Sequence, residues 1–177
     1  MKRINVVGTS GSGKSTFGRR LAQKLNYPYL EMDAMFWKPN WQESPDDEFF
    51  ATLEVQLRKE HWVLDGNYNR TAPIKWATVD TVIWIDYSFP RTIYQAIKRA
   101  VTRSLTKQEL WHETGNVESF KKSFFSRDSI ILWTLKTYKS NRLRYQEMFS
   151  NPQYSHIKFV RISCPREAQA YINGFHT

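Results

Sequence analysis

Eight consecutive residues, Gly8-Thr9-Ser10-Gly11-Ser12-Gly13-Lys14-Ser15, satisfy the pattern G-x-x-x-x-G-K-[ST] in full. The spacing has a physical basis. Glycines let the chain wrap with its N–H groups turned inward, which makes a concave anion site. A helix that starts at Lys14 and runs on through Thr16 adds the positive end of its dipole. Lys14 supplies a point charge for the β- and γ-phosphates of a nucleotide, and the Ser15 hydroxyl suits Mg²⁺. A dinucleotide cradle competes poorly, because its glycine pattern lacks the Gly-Lys-Ser ending.

Such a cradle works with a carboxylate at the end of a neighbouring strand. Two apolar runs stop at one: Trp62-Val63-Leu64-Asp65 and Ile83-Trp84-Ile85-Asp86. Position alone does not choose between them, and Asp before Gly is also a common turn pair. Asp65 is favoured for the metal, acting through water, and Asp86 for a structural role. Asp33 is expected at the end of a second strand, where it can take a proton from a hydroxyl acceptor or hydrogen-bond a substrate; a loop cap is the competing role. Arg99 and Arg103 lie four apart on a predicted helix and share a face. With Arg127 they are candidates to meet charge on a transferring phosphoryl group. Arg142 is a weaker one. Phe36, Trp37 and Trp41 can cover a flat substrate or simply pack their loop. The histidines at 61, 112, 156 and 176 have no metal-ligand spacing, so no zinc site is expected.

The elements that must position these groups alternate as in an α/β fold with a mostly parallel sheet. Ile4–Val7 reads as a buried strand. Ser15–Leu25 reads as a helix with Phe17, Leu21 and Leu25 on one face. A weaker strand over Tyr29–Met32 leads into a loop from Asp33 to Glu43. Ser44-Pro45-Asp46-Asp47 reads as a helix start with Ser44 as cap, the helix running to about Glu60. Strands follow over Trp62–Leu64 and Thr81–Ile85. A helix from Pro90 carries Ile93, Ile97, Val101 and Leu105 on one face. Lys107–Asn116 reads as a mobile loop, Val117–Ser150 as mostly helix, His156–Ile162 as the last strand, and Pro165 starts a closing helix. No linker separates two domains, so 1–177 is read as one unit, with a lid at about 107–127 and a substrate-side segment at about 33–61.

Composition adds bounds. The 177 residues are 41% hydrophobic and 24% charged, an ordinary globular mixture. One cysteine, Cys164, forbids an internal disulfide. The opening apolar run is too short for a secretory signal, and no stretch is long enough for a membrane span, so a cytoplasmic location is expected. The formal net charge is +9, and residues 87–147 hold 12 Lys/Arg against 5 Asp/Glu. Such an excess suits polyanionic ligands or is a plain solvated surface.

The chain resembles the adenylate-kinase-like branch of P-loop kinases, which includes nucleoside monophosphate kinases and shikimate-type kinases. Within it the chain is most similar to the small DNA topology modulation proteins. The residues that carry this are the cradle, Asp33-Ala34-Met35-Phe36-Trp37 with Trp41, Trp62 to Tyr68, Ile83 to Asp86, the Arg99/Arg103 pair, and Phe125-Ser126-Arg127-Asp128. The resemblance implies a three-layer fold with a five-stranded parallel sheet of order 2-3-1-4-5. It implies that Asp65 lies near Mg²⁺, that Arg99, Arg103 and Arg127 clamp phosphates and close a lid, and that Pro165 borders the adenine. Where adenylate kinases follow Asp-Gly with an aromatic, Pro and Arg, this chain has Asn67-Tyr68-Asn69-Arg70.

The expected function is ATP- and Mg²⁺-dependent transfer of a phosphoryl group to a small acceptor, with a nucleotide among the candidates. The alternative is an ATP-switched nucleic-acid-binding regulator, motivated by the basic half but without a recognisable nucleic-acid motif. A GTPase lacks its Asn-Lys-x-Asp signature. Oligomeric state is not legible.

Overall fold

The computed structural model describes residues 1–107, 109–111, 113–118 and 129–175. Five strands form one parallel sheet: β1 (Arg3–Val7), β2 (Tyr29–Glu31), β3 (Trp62–Asp65), β4 (Thr81–Ile85) and β5 (Lys158–Ile162). Their spatial order is β2-β3-β1-β4-β5, as the resemblance implies. The helices are α1 (Lys14–Leu25), α2 (Met32–Phe36), α3 (Asp46–Leu57), α4 (Ala72–Lys75), α5 (Phe89–Thr106), α6 (Ile130–Phe149) and α7 (Pro165–Asn173).

Side-chain alternation along the strands explains the two faces. Ile4 and Val6 of β1, Val63 of β3, and Ile83 and Ile85 of β4 pack with Phe17 and Leu21 of α1 and with Ala168 and Ile172 of α7. Val7, Trp62, Leu64, Val82 and Trp84 point the other way, onto Phe49, Leu53 and Leu57 of α3 and Tyr145 of α6. Both faces are covered, so the strands read as nearly continuous apolar runs. The exception is Asn5, fully buried. Its amide donates to the carbonyls of Leu64 (3.1 Å) and Gly66 (3.3 Å), and its oxygen accepts from Trp76 Nε1 (3.0 Å).

Several local expectations change. The segment 33–43 is not one loop. It holds α2, then a small antiparallel hairpin, Trp37–Lys38 with Gln42–Glu43, closed by a 3-10 turn over Pro39–Trp41. Asp33 therefore lies in the first turn of α2, two residues past the end of β2. Ser44 does not cap α3. Its N–H donates to the Phe36 carbonyl (2.8 Å) and its hydroxyl to that of Met35 (3.3 Å), and Pro45 takes the cap position. α3 ends at Leu57, with Phe50 only partly buried.

The buried face of α5 also differs from the predicted apolar stripe. It buries Thr92, Ala96 and Ala100, while Ile97 and Leu105 are 39% and 77% exposed. Close approach decides this. A Cβ placed on Gly11 would lie 2.8 Å from Ala96 Cβ and 2.8 Å from the Thr92 carbonyl, so only small residues fit on that side of the helix.

Candidate phosphate-transfer site

The predicted cradle leaves the carboxyl end of β1 and enters α1, the crevice side of a parallel sheet. Gly11 and Gly13 have φ of +81° and +90°, a region costly for other residues. Gly8 is enclosed too: a Cβ there would meet the Ile85 carbonyl and Ser12 Oγ, each at 2.7 Å. Ser12 N donates to the Thr9 carbonyl (3.0 Å), and the first bond of α1 runs from Phe17 N to Gly13 O (3.0 Å). The amides of Lys14, Ser15 and Thr16 thus lie in the first helical turn, with no intrahelical acceptor.

Asp65 ends β3 beside the cradle and is 3% exposed. Its Oδ2 accepts from the Tyr29 hydroxyl (2.6 Å), and its Oδ1 lies 3.9 Å from Lys14 Nζ. Burial and the adjacent Asp65 carboxylate both push the Tyr29 hydroxyl well above the usual tyrosine range, so it stays a donor. Asp65 Oδ1 and Ser12 Oγ are buried with no hydrogen-bond partner among the described residues. Two orphaned oxygens at the mouth of an amide-lined turn, with a lysine and the Ser15 hydroxyl alongside, fit a Mg²⁺–triphosphate group in donor chemistry.

Asp86 is a different kind of carboxylate. It is held by Arg161, with Nη2 at 2.6 Å and Nε at 2.8 Å, and by Arg142 at 3.2 Å. This ties α6 to β5 and engages Arg142 with a carboxylate.

Arg99 donates from Nη2 to Ser10 Oγ (2.9 Å). Burial and the neighbouring Arg103 lower its pKa, while Glu118, Asp33 and Asp65 oppose the shift. Arg103 pairs with Glu118 at 2.8 Å. Arg99 thus reaches the cradle, and Arg103 is engaged one turn further along α5. Thr134 and Asn141 of α6 also approach it, at 3.4 Å from the Ser10 carbonyl and 3.5 Å from Thr9 Oγ1. Arg127 lies outside the described residues. Pro165 opens α7 directly after β5, at the same edge of the sheet.

Asp33 Oδ1 accepts from the Tyr68 hydroxyl (2.7 Å), and burial, with the Asp33 carboxylate, raises the Tyr68 pKa far above its ordinary value. The Tyr68 ring packs on Phe36 and Phe49, 5.0 and 5.1 Å between centroids. Arg70 lies over Phe36 at 5.0 Å and pairs with Asp46 at 3.1 Å. Phe36 is buried, so of the predicted aromatic trio it is core. Trp37 and Trp41 form an edge-to-face run that continues to Trp111. Trp111 and Asn116, in the segment Lys107–Asn116 read as a mobile loop, dock on the hairpin here. Asn116 accepts from Trp41 N and donates to the Lys38 carbonyl, both at 2.9 Å.

Sequence reasoning passed over Asn67, whose side chain clamps Gly8: Gly8 N donates to Oδ1 (3.0 Å) and Nδ2 donates to Gly8 O (2.7 Å). The signal was the Asn directly after Asp-Gly. Tyr29 and Asn116 belong to no such local motif, and nothing near them in sequence marked their partners.

Comparison with known proteins agrees at a coarse level. The family model for shikimate kinase matches residues 10–61. A shikimate kinase of Sulfurihydrogenibium sp. (strain YO3AOP1) is 29% identical, over 73% of this chain and 82% of that protein. In fold, the chain is similar to a shikimate kinase from Acinetobacter baumannii solved in complex with shikimate (TM-score 0.57, 17% identity, 98% of this chain and 89% of that one). It is also similar to a gluconokinase from Sinorhizobium meliloti 1021 (TM-score 0.50, 18% identity, 97% and 91%). These matches name shikimate kinase where the motif pattern pointed to topology modulation proteins. They give no support to a nucleic-acid partner, and Arg142 of the basic half is paired with Asp86. No described helix is long and apolar enough to cross a membrane. The sequence matches to shikimate kinases support an ATP-dependent kinase built on a P-loop, and the solved structures share its fold.

Proposed function

We propose that this protein transfers the γ-phosphoryl group of ATP to a hydroxyl of a small acceptor bound beside Asp33. The observation that carries the reading is the arrangement of Asp65. Its buried carboxylate has one oxygen fixed by Tyr29, and the other has no hydrogen bond among the described residues and faces Lys14 across 3.9 Å. The glycine turn and the first amides of α1 would hold the β- and γ-phosphates, with Lys14 over them. Ser15 would hold Mg²⁺ directly and Asp65 through water; the ion would neutralise phosphate charge. Pro165 would border the adenine. Arg99, already on Ser10, would stabilise the transferring phosphoryl, and Arg103 and Arg127 would join it as a lid over 107–127 excludes water.

On the acceptor side, Asp33 would accept the hydroxyl proton, with Tyr68 holding its other oxygen and so orienting it. This pairing favours a hydroxylated metabolite. A second reading, a nucleoside monophosphate acceptor, draws on Arg70, which is 43% exposed over aromatic rings and can turn from Asp46 to an anionic group. A transfer screen with γ-labelled ATP, over small hydroxy acids, sugars and nucleoside monophosphates, separates the two. Transfer to a hydroxy compound is expected. ATP turnover by Lys14→Ala equal to that of wild type would overturn the proposal.

A further inference from the structure

Lys75 is 1% exposed, at the end of the short helix α4. Its Nζ donates to the carbonyls of Asn67 (2.8 Å) and Gly66 (3.4 Å), and no acidic side chain is among its described partners. A buried amine without a carboxylate gains nothing from ion pairing. What it offers is donors, and both go to the turn that follows Asp65.

That turn has little room. Gly66 has φ +154°, and a Cβ there would lie 2.7 Å from Met32 Cβ. The Gly66 carbonyl has a second donor in Asn5, but for the Asn67 carbonyl the Lys75 amine is the donor recorded. The Asn67 side chain then grips both backbone groups of Gly8, the first residue of the cradle. Gly8 is itself packed against Ile85 and Ser12. A chain of contacts therefore leads from the buried amine, through one turn, to the entrance of the phosphate site.

We propose that Lys75 is a positioning residue for the phosphate cradle: from inside the protein it pins the Asn67 backbone, and Asn67 sets the place of Gly8. Asp65 lies two residues before Asn67, so the same anchor orients the carboxylate expected near the metal. The inference rests on the reading of this cradle as an ATP site.

The test is MgATP affinity, by calorimetry, for wild type, Lys75→Met, Asn67→Ala and the double variant, with nucleotide-free thermal unfolding in parallel. Lys75→Met and Asn67→Ala should each weaken MgATP binding about tenfold, the size of one lost hydrogen bond. The double variant should be no weaker than the worse single one, because both break one chain of contacts. A space-filling lysine would lower the unfolding temperature yet leave MgATP affinity alone, or its effect would multiply with that of Asn67→Ala to about a hundredfold. Either result overturns the proposal. Should Lys75→Met fail to fold, Asn67→Ala still decides, since unchanged affinity there removes the link to the cradle. Wild-type protein that binds no MgATP refutes the function beneath it; wild-type binding with unaffected variants refutes only this inference.

Discussion

Replacing Lys75 by methionine should change how stability depends on pH, and the structure sets the size of the effect. Burial, reinforced by the charge of Arg144, lowers the Lys75 pKa from 10.5 to about 7. Below pH 7 the amine is charged in both folded and unfolded chains, and stability does not depend on pH through this group. Between about 7 and 10.5 the unfolded chain holds one proton more than the native one. Stability then rises with pH at about 1.4 kcal/mol per unit and levels off above 10.5. Integrated from pH 7 to pH 9, this single amine contributes about 2 kcal/mol of extra stability. Urea unfolding of wild type and Lys75→Met at pH 7, 8 and 9 isolates it, because every other group is common to the two proteins and cancels in the difference. Wild type should gain on the variant as pH rises, and at pH 6 methionine should be tolerated best. A difference that stays flat across this window would refute the reasoning, since the amine would then keep its ordinary pKa and could not be buried as described.

Other outcomes follow from the same geometry. Lys14→Ala should reduce ATP turnover by about a hundredfold or more with little loss of stability, as measured by steady-state kinetics and thermal unfolding. Asp33→Asn should lower kcat for transfer while leaving MgATP affinity within about twofold, because Asp33 lies on the acceptor side; equal losses in both would remove it from the acceptor site. Gly11→Ala should weaken nucleotide binding sharply, its Cβ meeting Ala96 and Thr92 at 2.8 Å in a left-handed backbone. Asp86→Asn should cost about 1–3 kcal/mol in urea unfolding, since it frees Arg161 and Arg142, yet spare MgATP affinity.

The parts legible in the chain were those written in short range. The cradle is one contiguous motif, and the strands that flank it are β-branched or aromatic runs ending at Asp65 and Asp86, so local pattern sufficed to find them. The choice between those two acids was not local. Both strands lie beside β1, so the difference comes from distant partners: Arg142 and Arg161 reach Asp86 from α6 and β5, while Asp65 faces Lys14. The α5 stripe misled for a related reason. Hydrophobic spacing singled out Ile97 and Leu105, but the close approach of Gly11 admits only the Ala96 and Ala100 side.

From sequence alone came the glycine-rich turn proposed to bind phosphate, its lysine and hydroxyl, the alternating α/β architecture and the carboxylates at the strand ends, because each is encoded by neighbours within a few residues. Tertiary structure decided which oxygen of Asp65 is open among the described residues, that Tyr68 bonds Asp33, that Trp111 packs on Trp41, and that a buried lysine bonds the Asn67 carbonyl. Those are contacts between side chains and backbone groups on different elements. Their distances depend on how strands and helices pack across the sheet, which no periodicity along the chain records.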